Sequence, residues 1–64
     1  MNLIDGLNQE LKRAKELKKS YESIPTGGFG VAVIRGAIQY AEKSIQTEDI
    51  VEMLKAYNNL QKLK

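Results

Sequence analysis

The chain has 64 residues, a net charge of +2, and neither cysteine nor histidine. That length holds one domain, 1–64, with a thin core, and the composition removes disulfides, zinc sites and every thiolate or imidazole nucleophile. Below about 70 residues a single core supplies roughly 3–5 kcal/mol at most. With staples and metals excluded, association between chains is the remaining supplement. No apolar run approaches the ~18 residues of a membrane span, and the start lacks a basic-then-apolar leader. A protein in the cytoplasm, away from membranes, is expected.

The first predicted helix runs from Leu3 to Ile24. Leu3, Ile4, Leu7, Leu11, Ala14, Leu17, Tyr21 and Ile24 recur in steps of mostly three or four and form one stripe. Asn2 is placed to cap it, Asp5 suits its first turn, and Gly6 weakens its start. Pro25 stops it, because proline disfavours helical geometry at the residue before it. Lys12, Arg13, Lys15, Lys18 and Lys19 crowd this helix, partly balanced by Glu10 and Glu16. Such a run is usually a solvated face, and it could also attract anions.

A second helix follows the glycines, with Val31, Ile34, Ile38, Ala41 and Ile45 in alternating steps of three and four. Beside that seam lie the small residues Ala32 and Gly36, with Ala37 and Ala41 one position round. An interior glycine costs about 1 kcal/mol against alanine. Gly36 therefore suggests close approach by another helix or a ligand, unless packing merely tolerates it. The segment "QTED" breaks the pattern. Asp49, followed three residues later by Glu52, resembles a reciprocal cap, with Thr47 as the competing cap and Glu48 then in the first turn. A third helix, about Ile50 to Leu63, puts Ile50, Met53, Leu54, Tyr57 and Leu60 on one face.

The expected architecture is all-α, with two or three helices per chain: a long N-terminal helix plus a helical hairpin, assembled as a homo-oligomeric bundle. At 1.5 Å per residue the first helix would measure about 33 Å against about 22–24 Å for the others. Its stripe would then outrun the hairpin and favour pairing between chains.

The stretch "IPTGGFG", residues 24 to 30, fits no helix or strand period. Pro25 ends one helix, Thr26 is placed to cap the next, and Gly27, Gly28 and Gly30 allow unusual angles and close approach. A glycine-rich turn opening a helix leaves amides unpaired at the positive end of the dipole, where phosphates bind. Arg35, one to two turns on, could add a bidentate contact. The alternative is a connection that uses glycine and proline for geometry alone. Phe29 either plugs the core or offers a ring on which a base stacks, and Tyr21 lies one turn before the loop. Tyr40 and Tyr57 suit packing with the hydroxyl at the rim. Neither the dinucleotide fingerprint nor the Walker pattern matches. Glu48 and Asp49 read as capping residues, not an acid pair, so the chemistry points away from an enzyme.

The set "ELKKSYESIPTGGFGVAVIRGAIQYAEKSI" followed by "EDIVEMLKAYNNL" resembles a family of very small phage and prophage proteins. They share an E-x-x-x-x-Y-x-x-I-P-x-G-x-F-G element and a D-[IV]-V-x-M-L-x-A-Y element, and the likeness spans about residues 16 to 60. Through that family the chain looks like phage sponge proteins of the anti-CBASS type, helical homo-oligomers that sequester cyclic nucleotide signals of bacterial defence. The resemblance implies action in the host bacterial cytoplasm, with no cofactor and a cyclic di- or oligonucleotide or related nucleotide signal as ligand. It implies ligand contacts at Tyr21, Pro25, Thr26, Gly27, Gly28, Phe29 and Gly30, with Arg35 following. The main rival is an interaction module that docks its helical face and Phe29 on a host enzyme and inhibits it. Helix-turn-helix DNA binding fits poorly, because "FGVAVIRGAIQYA" offers few side chains for reading bases, and nucleic-acid binding through the basic run of the first helix is a third, less expected reading.

Overall fold

The computed structural model describes residues 2–64, which fold into three helices: α1, Leu3–Glu22; α2, Gly28–Gln46; and α3, Ile50–Gln61. Asn2 caps α1 by accepting from the Asp5 amide at 2.9 Å, and Asp49 caps α3 by accepting from the Glu52 amide at 3.2 Å. The Asn2 cap matches the sequence reading, whereas the Asp49 cap forms in one direction only, because the Asp49 amide donates to the Ser44 carbonyl and the Glu52 carboxylate accepts from Tyr40. At the end of α2, the Glu48 amide donates to the Ile45 carbonyl and the Asp49 amide to the Ser44 carbonyl, at 3.2 and 3.3 Å. That is a Schellman ending. Its left-handed position is held by Glu48, at φ 54°. Glu48 therefore closes α2 and does not open α3.

The cross-helix contacts fix the topology. Lys15 meets Glu42 at 3.4 Å and Tyr21 lies over Gly30, so α1 and α2 run antiparallel. The Tyr40 hydroxyl donates to the Glu52 carboxylate, so α2 and α3 are antiparallel too. That bond, ahead of burial and the charges of Glu52 and Asp49, holds the Tyr40 phenol above its ordinary pKa. Gly6 faces Tyr57 while Arg13 reaches Leu60 and Leu63, which makes α1 and α3 parallel.

All three helix pairs pack around one core of Leu7, Leu11, Ala14, Ile34, Ile38, Ala41, Met53, Ala56 and Leu60. Ala14, Ala41 and Ala56, one on each helix, are fully buried. A β-carbon on Gly6 would lie 3.3 Å from the Tyr57 ring, so this glycine serves the α1–α3 crossing at some cost in helix propensity. Ser44 is the buried polar residue, and its hydroxyl donates to the Ala41 carbonyl at 2.7 Å.

Three expectations change. With 20 and 19 residues, α1 and α2 are about 30 and 28 Å long, so the stripe of α1 outruns the 12-residue α3, about 18 Å, but not α2. Leu3, Leu17 and Tyr21 pack against the core, and Ile4 and Ile24 are the exposed members of the predicted stripe, at 43% and 48%. The face of α3 is also rotated. Met53, Ala56 and Leu60 point inward because small Ala56 admits the close packing of α3, while Ile50 and Leu54 are 65% and 52% exposed. Finally, a β-carbon placed on Gly36 would meet nothing within 4 Å, so this glycine serves no close approach inside the bundle.

Arg13 departs most from the reading as a solvated charge. Its Nε bonds Glu10 at 2.8 Å, while Nη1 and Nη2 donate to the carbonyls of Leu63 and Leu60 at 3.0 and 2.6 Å. It thereby caps the negative end of α3 from a neighbouring helix. Arg13→Ala is expected to cost about 1–2 kcal/mol in urea unfolding, with Arg13→Lys recovering less than half because it keeps the charge and loses the fork. Glu48→Gly is expected to raise stability by about 0.5–1 kcal/mol, since it relieves a left-handed residue that bears a side chain.

Candidate functional site

The connection between α1 and α2 is built on a tight turn. The Gly27 amide donates to the Ile24 carbonyl at 2.9 Å, with Pro25 and Thr26 in the central positions. Among the described residues only Glu48 has a positive φ, and no glycine does. The turn therefore fits type I, with proline and glycine at their favoured places. Here glycine is required for space, not for angle. A β-carbon on Gly27 would run into the Tyr21 carbonyl oxygen and lie 3.2 Å from that of Ile24, and one on Gly30 would enter the Tyr21 ring.

This crowding decides how α2 begins. Its N-cap is Gly27, with no side-chain cap bond and no acidic residue in the first turn. Thr26, expected to cap, is instead a central residue of the turn. Among the described residues, the amides of Gly28, Phe29 and Gly30 donate to no carbonyl or side chain. Gly28 and Phe29 are exposed, and Gly30 is half covered by Tyr21. By contrast, α1 and α3 have both a side-chain cap and an acid in the first turn. The start of α2 is thus the one described helix N-terminus whose positive end is uncompensated.

The expected site residues fall on two sides of this helix start. Tyr21, Pro25, Gly28 and Arg35 line one concavity of about 450 Å³, together with Glu22, Ile24, Val31 and Ala32. Tyr21, Thr26, Gly27, Phe29 and Gly30 line another of about 440 Å³, closed by Lys62, Leu63 and Lys64. Both volumes lie in the range of about 300–1,000 Å³ typical of small-molecule sites, although both are open to solvent. Tyr21 is the wall between them. Its ring backs Gly30 and its hydroxyl donates to the Lys64 carbonyl at 2.6 Å, which together buttress the start of α2 against the segment that follows α3.

Phe29 is not a core plug. It is 84% exposed, the most exposed large apolar side chain described. Arg35 belongs both to the first concavity and to a groove between α1 and α2 lined by Lys15, Lys18 and Lys19. The basic run is therefore continuous with the loop on that side, with Glu22 and Glu42 as opposing charges. Lys62 and Lys64, beside the Phe29 concavity, escaped the sequence reading; they are brought there only by the docking of α3, which no local pattern announces. No described group of three acidic residues could hold a metal ion, and no described helix is long and apolar enough to cross a membrane.

No protein-family model, no curated protein and no solved structure matches the chain. A functional reading therefore rests on the residues, their geometry and the motif resemblance noted in the sequence.

Gly27→Ala is expected to destabilise the bundle by more than about 1 kcal/mol, because backbone oxygens, which yield less than side chains, occupy the space. Gly28→Ala, with nothing within 4 Å, is expected to be neutral or stabilising by about 0.5 kcal/mol. Paired thermal melts of the two variants check the contrast.

Proposed function

We propose that this chain is a non-catalytic, phage-encoded protein that binds and sequesters a cyclic nucleotide immune signal in the bacterial cytoplasm, working as a homo-oligomer. The observation that carries the reading is the set of three unpaired amides at Gly28, Phe29 and Gly30, at the uncompensated start of a 19-residue helix. A phosphate suits that position better than any neutral group, because it accepts several N–H bonds at once and complements the dipole. Arg35 on one side adds a guanidinium for a phosphate oxygen. Phe29 on the other side presents a ring to a base, and Lys62 and Lys64 add charge around it.

A cyclic dinucleotide has two phosphates and two flat bases, so one loop meets half of such a ligand and a symmetric assembly meets the whole. Sequestration asks only for affinity, which depends on a loop held rigid before the ligand arrives. The turn hydrogen bond and the Tyr21 buttress supply that rigidity. The resemblance to small phage proteins supplies the class of signal.

A second reading, docking on a host enzyme, is favoured by the exposure of Phe29 at 84% with Val33 and Ile24 at 48% each. Calorimetric titration with cyclic di- and trinucleotides and cyclic ADP-ribose isomers separates the two. The proposal expects micromolar or tighter binding of at least one ligand, with Phe29→Ala and Arg35→Ala each weakening it by about tenfold or more. Absence of heat from the whole panel, together with a stoichiometric host protein retained in a pull-down that Phe29→Ala abolishes, would establish docking instead.

A further inference from the structure

The groove between α1 and α2 holds two contiguous concavities of about 560 and 420 Å³, which share Lys15, Lys19 and Glu42 and have no α3 residue in their linings. Five cations line them: Lys12, Lys15, Lys18 and Lys19 from α1, and Arg35 from α2. The chain has 10 lysines and arginines against 8 acids, and the groove's own carboxylates are Glu16, Glu22 and Glu42, so equal numbers of each sign remain elsewhere. The whole net charge of +2 therefore sits in this groove. We propose that it binds a linear chain of phosphates, whether the backbone of a single nucleic-acid strand or inorganic polyphosphate, without reading bases.

Spacing selects the ligand. From Lys12 to Lys19 the axis of α1 advances about 10.5 Å, so its four lysines recur on average about every 3.5 Å. A nucleic-acid strand in a duplex carries one charge per about 3.4 Å. An extended acidic peptide presents carboxylates to one side only every ~6.6 Å, because alternate side chains point away. The lysines are also available. Among the described residues only Lys15 of the five has a carboxylate within reach, Glu42 at 3.4 Å, and that pair is exposed enough for a phosphate to displace it. Arg35 adds a planar fork from the opposite wall.

The lining explains the indifference to sequence. No aromatic side chain borders either concavity, so no ring is offered to a base. Stacking belongs to Phe29 at the other end of the fold. The groove shares only Glu22 and Arg35 with the concavities at the 24–30 loop, so it stands or falls without the loop.

Fluorescence anisotropy of a short labelled oligothymidylate with the full chain, from about 50 mM salt upward, tests the proposal. Saturable binding is expected, with log affinity falling against log salt at a slope of about −2, the value for about three phosphates on a single strand. Oligoadenylate and inorganic polyphosphate should both displace the probe, and the one effective at lower phosphate concentration tells which chain the groove takes. Polyglutamate of equal charge should compete at least about tenfold less well. Lys12→Gln, Lys15→Gln and Lys19→Gln together should weaken binding about tenfold or more, whereas Lys43→Gln, Lys55→Gln and Lys62→Gln, an equal loss of charge on other surfaces, should change it less than about threefold. All six lysines are exposed, so helical circular dichroism should be unchanged. Glu42→Gln should tighten binding by freeing Lys15, and Phe29→Ala should leave it unaltered. Absence of binding at low salt, equal losses in the two triple variants, or polyglutamate competing as well as polyphosphate overturns the proposal. Loss on Phe29→Ala also overturns it, by placing the strand at the loop.

Discussion

The contact between Gly27 and the Tyr21 carbonyl governs this structure. A turn that reverses α1 into α2 within residues 23–27 must bring the last carbonyls of one helix against the first residue of the next. No side chain fits at that point. The usual N-cap residues, serine, threonine, aspartate and asparagine, are therefore shut out of the position where they would satisfy the first amides of α2. Steric necessity at one glycine thus leaves an electrostatic opening a few ångströms away. The same glycine that makes the hairpin tight makes the helix start available to an anion.

Tyr21 links the two effects. Its carbonyl excludes a side chain at Gly27, its ring excludes one at Gly30, and its hydroxyl holds the Lys64 carbonyl. One residue thereby ties the end of α1 to the start of α2 and to the end of the chain. Arg13 does comparable work a little over two turns earlier, where its fork reaches the last carbonyls of α3. Parallel packing of α1 and α3 would otherwise set their dipoles side by side in the same sense. A guanidinium from α1 at the negative end of α3 offsets part of that cost. The Lys15–Glu42 pair on the other flank is solvent-exposed and contributes little by comparison.

Periodicity made the helices legible, along with most of the core and both side-chain caps, because local spacing and local hydrogen bonds determine them. A stop ahead of Pro25 was equally plain, although α1 ends at Glu22, two residues short of the expected Ile24. What the pattern could not convey was rotation. Ile50 and Leu54 lie on the same apolar arc as Met53 and Leu60, and only the presence of two neighbouring helices decides which edge of that arc faces inward. Arg13 reads as one more charge in a basic run, since its acceptors lie 47 and 50 residues away. The site was half legible: the glycines announced an open helix start, but their spacing role, the failure of Thr26 to cap and the division of the loop into two concavities depend on where the Tyr21 backbone lies. Phe29 shows the limit most clearly, because core plug and exposed ring are identical in sequence.

The distribution of uncovered apolar surface carries the argument further. A chain this short cannot hide all of its large side chains, since its surface is large relative to its volume. Scattered singly, the remainder would mean nothing. Here all but Ile4 collect in two places: Ile24, Phe29 and Val33 around the start of α2, and Ile50, Val51 and Leu54 along the outer face of α3. The first lies among unpaired amides and positive charge, which favours a ligand with flat rings and an anionic centre. The second lies along the first half of α3, whose Lys55 is paired with Glu52 on the same helix. Because the two surfaces occupy separate parts of the bundle, a substitution in one leaves the residues of the other in place.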